Sequence, residues 1–248
     1  MRAKGNRTPA TLASPSESSL RDGLLRGQAD FRDRLAGGAG RLGWKAGFGT
    51  AAAIEKLGTS GPLAAPLSDA TLAPSGSAFD ISGWHRPVLE PEVAVRLGAD
   101  VDAGQSRGEI EAAVDAVGAA IELVDLDGAY DDAGAILAAG IFHRAVILGE
   151  MLPLPSGTSL ADLRVDVRAG GKDHALGADP AAVLGDLVDV LAGMAELLAL
   201  GDDGLRADDV IITGAATVPF ELLGGEAVEV RLGPSAVAVR INPMRWLR

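Results

Sequence analysis

The sequence predicts one α+β domain, residues 18–248, built on a large antiparallel or mixed sheet system with few helices, and three observations carry that expectation. Short apolar runs with strand-like alternation outnumber helical ones. Gly-Gly and Gly-Pro turns separate them, without the regular βαβ rhythm of a parallel sheet. At 248 residues and 48% hydrophobic content, the chain is long enough to bury a real core.

Residues 1–17, rich in Ser, Pro and Thr, read as a flexible leader with no apolar segment of a signal peptide. From Ser19 to Ala36, Leu20, Leu24, Phe31 and Leu35 share a helical face, and Gly37-Gly38 ends the run. Arg41 to Gly49 alternates like a strand but carries glycines, which let a backbone or ligand approach closely, and Lys45 lies on the face opposite Trp44 and Ala46. A short helix, Ala51 to Leu57, is closed by Gly58. Residues 59–83 read as a long connection of turns with a lid or rim.

Val88 to Leu97 is the next strand. Ser106 and Glu109 form a capping box that opens a helix to about Gly118, and this helix feeds the apolar run around Glu122. A short helix over 131–140 and a strand from Arg144 to Gly149 follow. Strands from Leu163 to Arg168 and from Asp173 to Leu176 flank Gly170-Gly171 as a hairpin. Asp179 and Pro180 open a long helix running to Gly201, and strands at 209–213, 227–232 and 236–241 complete the chain.

Composition excludes several functions. A net charge of -12 and a pI near 4.6 repel nucleic acid and acidic membrane surfaces. The absence of cysteine removes disulfides, zinc-thiolate sites and cysteine nucleophiles. No apolar run reaches the ~20 residues of a membrane helix. The expectation is a soluble cytoplasmic protein with no nucleic-acid or membrane partner.

Chemistry is concentrated in Val88-Leu89-Glu90-Pro91-Glu92-Val93, where two carboxylates share one face of a strand and apolar residues the other. Adjacent carboxylates beside an apolar layer need solvent, a shared proton or a cation. Glu122, inside Ala119-Ala120-Ile121-Glu122-Leu123-Val124, is a third carboxylate that favours the cation. Lys45 is one of only four lysines, and its glycine-rich setting suits a ligand as well as an exposed strand.

Gly43-Trp44-Lys45-Ala46-Gly47-Phe48, Glu90-Pro91-Glu92-Val93-Ala94, Ala120-Ile121-Glu122-Leu123-Val124-Asp125 and Asp209-Val210-Ile211-Ile212-Thr213-Gly214 occur in that order, and Gly225-Glu226 follows. In this ordered set the chain resembles the fumarylacetoacetate hydrolase superfamily over residues 20–242, and within it the 2-keto-4-pentenoate hydratase and 4-oxalocrotonate decarboxylase branch. The resemblance implies a β-roll or sandwich with flanking helices. It also implies a magnesium or manganese ion held by Glu90, Glu92 and Glu122, an acid/base lysine at Lys45, and self-association or pairing with a related subunit.

Hard carboxylate oxygens suit either ion. A small 2-oxo acid would chelate it through a carboxylate and the 2-oxo oxygen, so that the ion stabilises the enolate. Hydration, decarboxylation and β-diketone cleavage share that enolate.

The chain departs from the branch at three places. Leu63 stands where hydratases carry an aspartate, Ala139-Gly140-Ile141-Phe142-His143 replaces an Asp-Asn-Ala-Ser segment, and Asp127 replaces an arginine. Thr50 either caps the Ala51 helix or binds a substrate carboxylate, or does both. Phe48 is core or a substrate-facing platform, and His143 is a substituted acid/base or a structural histidine. Three readings follow: a hydratase or decarboxylase, an acylpyruvate-type carbon-carbon hydrolase using a histidine-glutamate pair, and a helper subunit that has lost its base.

Overall fold

Helix α1, Glu17–Ala36, starts where the Ser16 hydroxyl accepts the Ser19 N–H, and it buries Leu24 and Phe31. The computed structural model describes residues 14–128, 131–154 and 158–243, so residues 1–13 of the expected leader lie outside it. Strand β1, Arg41–Gly47, leads into helix α2, Ala51–Leu57, which has Thr50 as its N-cap and Gly58 in the left-handed conformation at its end. Strands β2, Leu63–Ser68, β3, Leu72–Ala73, and β4, Ala78–Phe79, follow. Next come β5, Pro87–Leu97, α3, Arg107–Ala113, and β6, Val114–Asp125. Helix α4, Ala133–Ala138, β7, His143–Leu148, and β8, Leu152–Pro153, lie between these and the hairpin of β9, Val165–Ala169, and β10, Lys172–Ala178. Helices α5, Ala181–Leu184, and α6, Leu187–Ala199, precede β11, Val210–Ala215, β12, Phe220–Glu221, β13, Ala227–Leu232, and β14, Ser235–Ile241.

The larger sheet runs β2-β1-β11-β5-β6-β7-β3. Its two edge strands are consecutive in the chain, with only residues 69–71 between them. From Ser68 to Leu72 the backbone spans at most ~14 Å, whereas the outer strands of a flat seven-strand path stand ~29 Å apart. The sheet is therefore rolled until its edges nearly meet. Inside the roll lie Leu67, Ala94, Ala120, Val146, Val210 and Ile212, while Trp44, Leu89, Val93 and Ile121 face outward into the main core.

The second sheet, β10-β9-β13-β14-β4, supplies Val165, Val167, Val228, Val230 and Val239 to that same main core. Both faces of β5 and β6 are thus covered, which is why the two strands read as nearly continuous apolar runs. The α+β class with a rolled sheet and flanking helices agrees with the sequence. Among the described residues, no helix is long and apolar enough to cross a membrane.

Three local expectations are corrected. The stretch 59–83 is not all connection: Leu63–Ser68 forms β2, with Leu63 fully buried. Pro66 disguised it, and it is tolerated because β2 is an edge strand with one side free of ladder hydrogen bonds. The helix from Ser106 stops at Ala113, because from Val114 the chain pairs with β5 and gains a full ladder there. The long helix after Asp179 is two helices. Gly185 at φ 77° breaks the run, and Asp186 caps α6 by accepting the Val188 N–H.

Gly43 shows how tightly β1 is placed. It has φ +143°, and a Cβ there would lie 2.2 Å from the Val210 carbonyl oxygen. Gly43→Ala is expected to cost more than about 1 kcal/mol in urea denaturation. A variant as stable as the wild type would contradict this register.

Candidate metal centre

Antiparallel pairing sets Glu90 on β5 directly opposite Glu122 on β6, and Glu92 lies two residues further along on the same face. One carboxylate oxygen from each of the three lies within 4.8 Å of the others. Glu92 and Glu122 are fully buried and Glu90 is partly buried. The Gly214 N–H donates to Glu92 Oε2 at 2.7 Å, while Glu92 Oε1 and Glu122 Oε2 are buried without a hydrogen-bond partner among the described residues.

Burial, and then the neighbouring charge of Glu122, push the Glu90 carboxyl up to about 7. The same two causes, with Glu90 added, hold Glu92 well above the ordinary carboxylate range. Orphaned acceptors on mutually repelling, buried carboxylates are what a hard divalent cation satisfies, so the donor set fits magnesium or manganese.

Lys45 comes from β1, with β11 and β5 lying between it and β6. Its ammonium nevertheless pairs with Glu122 Oε1 and donates to the Ile141 carbonyl at 3.1 Å, a meeting that the rolled sheet makes possible. His143, at the start of β7, donates from Nδ1 to the same Glu122 oxygen at 2.6 Å, and its Nε2 lies 2.9 Å from the Thr71 hydroxyl. Burial opposes ionisation of Glu122, but the Lys45 ammonium and the His143 ring outweigh it and keep this carboxyl below its ordinary value. Burial likewise holds His143 below its ordinary value, against the pull of Glu122. The ring is therefore neutral near pH 7.

A cavity of about 240 Å³ opens beside Lys45 and Glu90. Phe48 and Thr50, both expected near substrate, line it. Thr50 also caps α2 by accepting the Ala53 N–H at 3.2 Å, which leaves its hydroxyl proton free for a ligand. His143 is placed differently. It stands behind Glu122 and borders a separate cavity of about 110 Å³ beneath α1, near Arg34 and Phe31.

Gly140, Ile141 and Phe142 are three successive left-handed residues, a conformation costly for a β-branched side chain. Their path aims the Ile141 carbonyl at Lys45. Thr71 and the Gly214 N–H were not singled out as site groups in the sequence. Thr71 sat within a stretch read as connection, and a backbone donor has no side-chain signature. His85 lies outside the site: it is exposed, and its N–H caps Asp125. His85, Asp125 and Asp127 also converge, but Arg144 donates to both aspartates and offsets part of their charge.

No family model matches the chain. A 4-oxalocrotonate decarboxylase of Pseudomonas putida is 30% identical over 203 residues, covering 80% of this chain and 76% of that protein. A 2-keto-4-pentenoate hydratase of Paraburkholderia xenovorans (strain LB400) is 25% identical over 210 residues, covering 80% and 75%. Among solved structures, 4-oxalocrotonate decarboxylase from Pseudomonas putida G7, complexed with magnesium and adipate, superimposes with a TM-score of 0.80 at 26% identity, over 91% of this chain and 86% of that one. Fumarylpyruvate hydrolase from Pseudomonas aeruginosa, in complex with Mn2+ and pyruvate, shares the fold with a TM-score of 0.61 at 16% identity, over 82% and 90%. These relatives are enzymes, and the two structures carry divalent metals.

Proposed function

Because the chain belongs to the fumarylacetoacetate hydrolase superfamily, as a divergent member of the branch that holds 4-oxalocrotonate decarboxylase and 2-keto-4-pentenoate hydratase, we propose that it is a divalent-metal-dependent lyase acting on a small 2-oxo acid or its enol. The observation that carries this reading is the convergence of Glu90, Glu92 and Glu122, two of whose oxygens are orphaned, beside a cavity lined by Glu90 and Lys45. Held by these glutamates, a magnesium or manganese ion would supply positive charge against the carboxylate and 2-oxo oxygens of the substrate as the enolate forms.

The chain's own residues do the rest. Lys45, at the cavity wall, moves a proton at the carbon skeleton of the substrate and holds Glu122 ionised by pairing with it. His143 orients Glu122 from behind. Thr50 donates its hydroxyl to the substrate carboxylate, and Phe48, Val124 and Leu126 exclude water from the reacting carbons. With Leu63 buried in β2, no side chain at that position takes the place of a hydratase aspartate, so Lys45 carries the proton transfer.

The His143–Glu122 pair is the one observation that favours a carbon-carbon hydrolase. Glu122 is however the third carboxylate of the metal centre, and Thr71 occupies the other ring nitrogen, which leaves the pair no atom with which to activate water.

Metal analysis of the purified protein, combined with ultraviolet monitoring of 2-hydroxydienoate and oxalocrotonate substrates, tests the proposal. The expected result is stoichiometric divalent metal and metal-dependent turnover. Bound metal without turnover would favour a helper subunit. Absence of metal together with an inert Glu90→Gln variant would remove the metal-lyase reading.

A further inference from the structure

We infer that the 2-oxo acid this site takes is a monocarboxylate with an apolar tail, and that the cavity selects against dicarboxylates. The inference rests on the metal-lyase reading and narrows its substrate class. The polar groups of the 240 Å³ cavity, Lys45, Glu90 and Thr50, are those that receive the 2-oxo acid head, while Val124, Leu126, Phe142, Val183 and Pro219 line the remainder.

Among the described residues, Lys45 is the only basic side chain on the cavity wall, and its ammonium is already committed to Glu122 and the Ile141 carbonyl. Arg86, just before β5, pairs with Glu221, and Arg144, on β7, with Asp125 and Asp127; neither lines the cavity. A second carboxylate in this cavity would shed its hydration and meet no counter-charge, whereas a hydrocarbon tail gains by burial.

Extension past α5 does not rescue a dicarboxylate. A second cavity of about 440 Å³ shares Gly49, Val183 and Leu184 as its wall with the first, and its ionisable side chains are Asp186 and Asp189, both held by Arg107. A distal anion reaching that far meets acids before it meets a base. The inference also bears on the reaction. A monocarboxylate has no second carboxyl to lose as carbon dioxide while the enolate forms, so this substrate class excludes a decarboxylation, and a hydration would run on Lys45 without the hydratase aspartate that Leu63 replaces.

Binding, not turnover, is the decisive readout, because an apolar wall can speed carbon dioxide loss from any dicarboxylate that does bind. 2-Oxohexanoate and 2-oxoadipate have the same chain length, differ only in a terminal methyl or carboxylate, and lack the unsaturation the proposed reaction needs. Each is titrated calorimetrically into the 248-residue chain with magnesium present. The expected result is that 2-oxohexanoate binds about tenfold or more tightly than 2-oxoadipate, and that Val183→Arg, which adds a cation to the wall, narrows or reverses the preference. Equal or tighter binding of 2-oxoadipate by the wild type overturns this inference and leaves the metal-lyase reading standing. If neither acid binds in the presence of magnesium, both fall together.

Discussion

Glu92→Gln is expected to abolish metal-dependent turnover while raising the thermal midpoint of the metal-free protein. Glu92 is fully buried, one of its oxygens has no partner, and burial together with Glu122 and Glu90 holds its carboxyl well above the ordinary range. Glutamine keeps the shape and the hydrogen bond from Gly214, removes a repelling charge and offers an amide donor to its neighbours. The same change removes a proposed metal ligand, and turnover should fall by about 10²–10³-fold or more. A group that is costly to the fold and indispensable to activity marks a functional site. A glutamine variant that is less stable yet active would sink this account.

The pH dependence follows from the same charges. A carboxyl whose value is raised in the folded state binds its proton more tightly there than in the unfolded chain. Its contribution to stability is present in full below the unfolded value and is lost as pH rises through the folded one. For Glu90 that window runs from 4.5 to about 7. The midpoint of the chelated wild-type protein should therefore fall across it, with magnesium restoring stability most at the upper end. Glu92→Gln should flatten the decline. Scanning calorimetry at several pH values, with chelator and with magnesium, checks all three expectations.

Lys45→Met is expected to be damaging in both respects. The ammonium is 1% exposed and faces the fully buried Glu122, so its removal strands a carboxylate that only His143 then supports. Breaking such a buried pair on one side costs about 3–5 kcal/mol, and loss of a positioned proton-transfer group costs about 10²–10⁴-fold in rate. A double variant, Lys45→Met with Glu122→Leu, separates the two effects. It should recover most of the lost stability, because neither charge remains, and none of the activity. Denaturant unfolding and steady-state rates on the wild type and the two variants measure this. Wild-type stability in Lys45→Met alone would show that the pair does not hold the site together.

Features governed by a few neighbouring residues were legible in the sequence. The Ser106–Glu109 capping box and the α2 helix between Thr50 and Gly58 lie where the local pattern puts them. Where local signals compete, the local pattern misleads. Pro66 hid an edge strand, Ile110, Ala113, Val114 and Val117 continued a helical spacing into a strand buried on both faces, and Gly185 was outweighed by the apolar residues around it. His143 was legible as a candidate but not in its position behind Glu122, because nothing local to it says which side of a carboxylate it will occupy.

By itself the sequence determined that Glu90 and Glu92 share a strand face and that Glu122 lies in another apolar strand, because side-chain alternation in a strand is a local property with a period of two. It also showed Lys45 in a glycine-punctuated strand. The tertiary structure alone decided that these four groups meet. Pairing of β5 with β6 in one register sets Glu122 opposite Glu90, and the roll of the sheet carries Lys45 across two intervening strands to the same carboxylate. Both depend on contacts between residues far apart in the chain, up to 77 positions for Lys45 and Glu122, and local pattern does not encode the strand order and curvature that bring such residues together.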